Sequence, residues 1–296
     1  MGVSIIWIIL HHIQFFNVAG FGILDYFVKG GNIGVDIFLF LSGYGLFHSY
    51  TNNSNIVDFY RKRFIRIIPT FVILIVIYNF LKGDFKSIFN PWMWYWQFYG
   101  NWFISFILLM YLSFPLFFKL QKLKLSYPLI TTIIISFILT VLLIIKHKND
   151  IHDVPMLMAQ RSPIFVLGMI VADKRFTLQI NYKLYCLIFT LIVCFIFYRD
   201  LDDILYPAYF FLTYPLVLLL SKTIRRLPLK IQRVLDWTGK RSLELYLVHM
   251  IITPILQNVK VPICIKLLLV FILSVIGAII LKTIVSFVLK YLKIKH

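Results

Sequence analysis

The stretch Gly31–Pro69, GNIGVDIFLFLSGYGLFHSY followed by TNNSNIVDFYRKRFIRIIP, decides how the chain is read. Its first half is apolar enough to enter a bilayer, yet it carries Asp36, Ser42 and glycines at 34, 43 and 45. A charge inside a membrane span costs a few kcal/mol or more, so an acid there marks function or a buried partner. The glycines leave bare backbone that another helix or a ligand can approach. Four cations then fall within six residues, Arg61, Lys62, Arg63 and Arg66, on a polar connector, with Pro69 expected in the first turn of the next helix. A polar membrane helix that leads into a basic threshold points to an anionic ligand handled at a membrane face.

Working outward, the chain has 296 residues, 60% hydrophobic and 14% charged, with mean hydropathy +0.87. That composition excludes an ordinary soluble domain. Ten apolar segments can be marked, at 3–24, 31–49, 67–81, 101–118, 127–145, 162–172, 184–198, 204–221, 242–258 and 267–289. At roughly 20 residues per span, the reading is an all-α integral membrane protein. It is a bundle of about ten transmembrane helices forming a single domain over 1–296. The sixth segment is short and reads as re-entrant or tilted. With the N-terminus inside, the inner loops hold 20 Lys and Arg and the outer loops nine, with Lys282 inside the last span. This asymmetry favours an N-in, C-in chain in the cell membrane. It also accounts for the net charge of +18 without nucleic acid as a partner. Cys186, Cys194 and Cys264 lie in or beside apolar runs without metal-type spacing and read as core residues. No metal site is expected, and no internal repeat is visible.

Several residues could carry chemistry. His11 and His12 lie midway along the first segment, and an imidazole can act as a general base near neutrality. Neighbours on a helix point about 100° apart, so one of the two faces any given site, and composition does not choose. Asp36 or Glu244 could orient an imidazolium. Glu244, two residues past Ser242, reads as a first-turn acid, and Asp36 as a buried partner. His249, five residues beyond Glu244, lies off its face. Arg63 and Arg66 share a helix face, which suits phosphates as well as topology. The loop PWMWYWQFYG before Asn101 and Trp102 suits an interfacial belt or a stacking platform for a sugar. The run 222–241, with seven cations, reads as topology and contact with anionic lipid.

Taken together, these pieces resemble the acyltransferase-3 family of multi-pass membrane acyltransferases. The likeness runs through GVSIIWIILHH, GNIGVDIFLFLSGYGL, YRKRFIRIIPTF, NWFISFILLMYLSFPLF, RSPIFVLGMIVA and SLELYLVHMIITPI, in that order. The resemblance implies transfer of an acyl group, usually acetyl from cytoplasmic acetyl-coenzyme A, to a hydroxyl of a surface saccharide or glycolipid. Acyl-coenzyme A would be a co-substrate, with no bound cofactor. The family's first-span histidine lies ten residues after a glycine, which maps to Gly2 and His12. Its acid maps to Asp36 and its arginine pair to Arg63 and Arg66, the expected donor site. Trp102, Ser42 and His249 are the candidate acceptor-site residues. Two departures stand out. Similar members have a basic residue before that glycine where this chain has Met1, so the native start is expected upstream. Many have WSLxxE where this chain has WFISFI, so one acid is missing. The competing readings are a flippase or exporter of a lipid-linked saccharide and a non-catalytic partner of a glycan synthase.

Overall fold

The structure, a computed structural model, describes residues 1–16, 28, 30–91, 94, 101–146, 154–176 and 206–293. Every regular element among them is helical. In chain order these are α1 (Gly2–His12), α2 (Ile33–Asn52), α3 (Ile56–Leu81), α4 (Trp102–Leu123) and α5 (Tyr127–Lys146). They continue with α6 (Val154–Ala172), α7 (Tyr206–Arg226), α8 (Leu229–Lys240), α9 (Ser242–Gln257) and α10 (Ile263–Tyr291), with a single turn at Phe85–Ile88. Four stretches are long and apolar enough to cross a bilayer: Gly30–Asn52, α3, α4 and α10. Shorter apolar helices are α1, α9, Tyr127–Leu142 and Leu157–Ala172. The expected segment 184–198 and the end of segment 3–24 lie outside the described residues. Large apolar side chains cover the outward faces of α5 (Ile134, Phe137, Ile138, Leu142) and α10 (Leu268, Ile272, Ile276, Ile280, Phe287). Faces so apolar are stable only against hydrocarbon.

The chain divides into two compact units interleaved in sequence. Unit 1 comprises Met1–Val35, Tyr60–Asn101 and Leu229–His296, and unit 2 comprises Asp36–Phe59 and Trp102–Pro228. Three expectations change. Helix α3 starts at Ile56 because Asn55 Oδ1 accepts from the backbone N–H groups of Val57 and Asp58, an N-terminal cap. The basic cluster therefore rides on the helix rather than on a connector, and Pro69 lies well inside it. Helix α6 begins at Val154, so the short sixth segment is a 19-residue helix that contains Arg161 and Pro163. Cys264 is an exposed free thiol rather than a core residue.

In unit 2, α2, α4 and α6 run parallel. Phe38 packs on Phe103 at their starts, while Tyr50 packs on Phe114 and Phe118 towards their ends. Two glycines set the α2–α6 distance. A Cβ on Gly43 would run into the Phe165 carbonyl, and one on Gly168 into the Phe40 carbonyl. Past the end of α6, Arg175 Nη2 donates to Asp173 Oδ2 at 2.8 Å and to the Gln121 carbonyl at 2.8 Å, which ties α6 to α4. The Arg175 hydrogen bonds hold the Asp173 carboxyl down at about 2. A depressed carboxylate stabilises the fold above its ordinary range and loses that contribution as pH falls through its folded value. The clasp is therefore fully charged at neutral pH.

The glycine geometry yields a paired prediction. Gly43→Ala forces the two backbones apart and should destabilise by roughly 1–3 kcal/mol, seen as a lower melting temperature in detergent. Gly45→Ala meets nothing within 4 Å and should hold or raise the melting temperature, since alanine favours helix by about 1 kcal/mol.

Candidate functional site

Unit 1 gathers His11, His12 and His249 with the basic cluster of α3. Helix α1 starts against α8, where a Cβ on Gly2 would strike the Leu235 carbonyl and Thr238 Oγ1. His12 follows ten residues later, about 15 Å along the helix. That distance gives the glycine-to-histidine spacing its meaning: one end is anchored by close backbone contact, and the other delivers an imidazole to α9. There His12 meets His249 of α9, with ring centroids 4.9 Å apart. His249 is fully buried, and Gly277 of α10 backs its neighbour Val248 at a distance that leaves no room for a side chain. His11 points elsewhere, with Nδ1 3.1 Å from the Val28 carbonyl.

Backbone carbonyls assign the protons. His12 Nδ1 lies 2.8 Å from the Ile8 carbonyl, and His249 Nδ1 lies 3.0 Å from the Leu245 carbonyl. A carbonyl only accepts, so in the neutral rings each Nδ1 carries the proton. His12 is thus left with Nε2 as its basic nitrogen. His249 Nε2, which has no proton of its own, lies 3.3 Å from His12 Nδ1 and can accept part of its hydrogen bond. His249, expected as a possible acceptor-site residue, stands directly against the first-span histidine.

The basic threshold has a different arrangement from the one expected. Arg66 grips Glu244 with both arms, Nη1 to Oε1 at 2.6 Å and Nη2 to Oε2 at 2.8 Å, and also donates to the Lys240 carbonyl at 3.3 Å. Glu244 lies in the first turn of α9, as expected, but is 1% exposed and bound to the arginine. Lys282 of α10 feels Glu244 and three cations, Arg66, Arg241 and Lys240, and Lys240 also pairs with Asp236. Arg241 stacks on Trp237 at 4.3 Å. Arg63 lies one turn before Arg66, half-buried. On α9, Glu244 and His249 are five residues apart, about 7.5 Å along the axis. The imidazole pair therefore lies less than two turns above the cationic cluster. Helices α1, α3 and α9 run the same way, since Gly2 and Arg66 lie near the start of α9 and His12 beside its middle.

The remaining expected residues fall in unit 2. Asp36 is fully buried beside Arg161, with Nη1 3.4 Å from Oδ1, and its carboxylate accepts no hydrogen bond among the described residues. Trp102 lies under Arg161, whose Cζ is 5.4 Å from the indole ring. Ser42 is buried on α2. Most of the aromatic loop before Asn101 is outside the described residues. Arg161 escaped the sequence reading because it was assigned to an outer loop. The signal was present in the apolar run MLMA before it and IFVLGMIVA after it.

A long all-helical chain with lipid-facing helices, a buried imidazole pair and a cationic threshold defines a membrane enzyme class rather than a soluble one. The family model for an acyltransferase domain, acyltransferase-3, matches residues 2–289, and the chain belongs to that family. No curated protein and no solved structure matches it.

The ion pair sets a stability test. Arg66→Ala leaves a buried carboxylate unpaired and should cost roughly 3 kcal/mol. Adding Glu244→Gln to that variant should recover most of the loss in detergent melting temperature.

Proposed function

We propose that this membrane acyltransferase is an O-acetyltransferase that moves acetyl from cytoplasmic acetyl-coenzyme A to a hydroxyl of a cell-surface saccharide or glycolipid. The observation that carries the reading is the His12–His249 pair, in which the Ile8 carbonyl leaves His12 Nε2 basic. In the forward step the acceptor oxygen bonds to the thioester carbonyl carbon while its proton passes to His12 Nε2. The carbon–sulfur bond then breaks, and the imidazolium returns the proton to the departing thiolate. As His12 becomes cationic, its Nδ1–H is held by the Ile8 carbonyl and His249 Nε2, so two neutral acceptors serve where a carboxylate serves in a triad. Donor phosphates are drawn by Arg63 and by the cations around Glu244, where Arg66 contributes charge while bound to the acid. The orientation that fits is N-in and C-in. Assigning Arg161 to α6 reduces the outer cations from nine to eight against 20 inside. With α1, α3 and α9 parallel, the cationic ends then face the cytoplasm.

Two measurements on membrane vesicles with radiolabelled acetyl-coenzyme A test this. His12→Ala should reduce acetyl incorporation into saccharide by about 10²–10⁴-fold, as removal of a positioned base does. His11→Ala should leave more than half of it. Equal incorporation by wild type and His12→Ala, at matched protein levels, overturns the assignment. A transporter would move glycan with no label incorporated. For the donor, Arg63→Ala should raise the apparent KM for acetyl-coenzyme A about tenfold or more while kcat changes little.

A further inference from the structure

Unit 1 contains a groove of about 400 Å³ between α3 and α9 that the mechanism above does not use. Its α3 wall runs from Phe71 to Lys82 and its α9 wall from Leu247 to Asn258, a rise of about 16 Å on each helix. Leu247, Ile251, Pro254 and Asn258 point roughly 140–180° round α9 from His249. The groove therefore lies behind α9, away from the imidazole pair, on the side where Glu244 meets Arg66. Its floor is apolar, with Phe71, Ile75 and Leu247 buried. Its far end is polar, with Tyr78, Lys82, Asn101 and Asn258 at the mouth.

Size and charge select the occupant. A dry cavity of about 150 Å³ takes one benzene ring, so on the same scale this groove takes about 16 carbons. Spread along the groove, that is the carbon spacing of one extended hydrocarbon chain. Lys82 follows Arg66 by about 24 Å of helical rise. In a hydrocarbon core of roughly 30 Å, this puts it at headgroup level in the leaflet opposite the cationic cluster. Its Nζ lies 4.4 Å from the centre of the Tyr78 ring and pairs with no carboxylate among the described residues. Asp84, two residues on, is turned to Ser87 instead. The mouth thus presents an ammonium, two amides and a phenol, all able to donate to phosphate oxygens. A zwitterionic headgroup would bring a second cation against Lys82, and an uncharged lipid would leave the ammonium without a counter-charge. We infer that the groove is a binding site for an anionic phospholipid of that leaflet, with one acyl chain along the floor and the phosphate at Lys82. The inference stands apart from the acetyl-transfer reading.

The test uses the full chain purified in neutral detergent, with bound lipid counted by native mass spectrometry. Phosphatidylglycerol and phosphatidylcholine of equal chain length are the probes, while lysophosphatidylglycerol and inorganic phosphate separate chain from headgroup. Wild type should hold one phosphatidylglycerol at least about fivefold more tightly than phosphatidylcholine, the effect of one lysine at a membrane surface. Lys82→Gln, a change at an exposed side chain, should remove that difference and leave phosphatidylcholine affinity as it was. Ile251→Trp, which fills the floor with an indole, should lose the bound lipid of either kind. Lysophosphatidylglycerol, with its single chain, should compete with phosphatidylglycerol, and inorganic phosphate should not. Equal affinity of wild type for the two lipids, an unchanged preference in Lys82→Gln, or displacement by inorganic phosphate alone overturns the inference. Lipid held equally well by a folded Ile251→Trp lies elsewhere on the chain and overturns it too. A dimer that carries no lipid and is abolished by Ile251→Trp overturns it in favour of a second copy in the groove. Should Ile251→Trp not fold, the preference of Lys82→Gln decides alone.

Discussion

Glu244 is the buried acid on which unit 1 is assembled. Hydrocarbon does not solvate a carboxylate, so α9 can carry one at its N-terminal end only if another helix supplies a matching cation at the same height. Arg66 does so with two parallel hydrogen bonds, and this fixes the register of α3 against α9. Once that height is fixed, the α-helical rise places His249 about 7.5 Å further along the axis. Helix α1, started against α8 at Gly2, brings His12 to the same level. The catalytic geometry proposed for the protein thus follows from one ion pair and two helix lengths.

That ion pair also changes how the basic threshold works. A free arginine pair would bind phosphate directly and compete for it with solvent. Here Arg66 is neutralised by Glu244 and Lys240 by Asp236, and the excess positive charge is carried by the neighbours Arg241 and Lys282. The cluster attracts anions through its net field, while the bidentate contact is reserved for structure. A division of labour between one arginine that holds helices and another that meets a ligand is consistent with their placement one turn apart.

Much of this was legible in the sequence, and the failures have physical causes. The cost of a charge in a span singled out Asp36, and a pair of mid-span histidines singled out the position proposed as catalytic. Choosing His12 over His11 needed the glycine spacing of the family, because helical geometry alone gives adjacent residues different faces without saying which faces inward. The Glu244 partner was invisible because an acid in a first helical turn is already explained by the helix dipole. Nothing local reveals an arginine 178 residues away. Arg161 was lost by a boundary error: a cation followed closely by Pro163 reads as the entry to a helix, where proline is favoured. Tertiary packing carries α6 through both residues. The α3 boundary failed in the opposite sense, since the Asn55 cap was readable but the dense charge after it looked like a loop.

The two buried ion pairs therefore separate into different kinds of object, although sequence would treat them alike. In both, an acid and an arginine come from distant parts of the chain and meet between helices. The Arg66–Glu244 pair is short and bidentate, which is what selection for stability alone would produce. Asp36 and Arg161 are more deeply buried as a pair, so their desolvation is the larger, and the 3.4 Å between Nη1 and Oδ1 makes their contact a looser one.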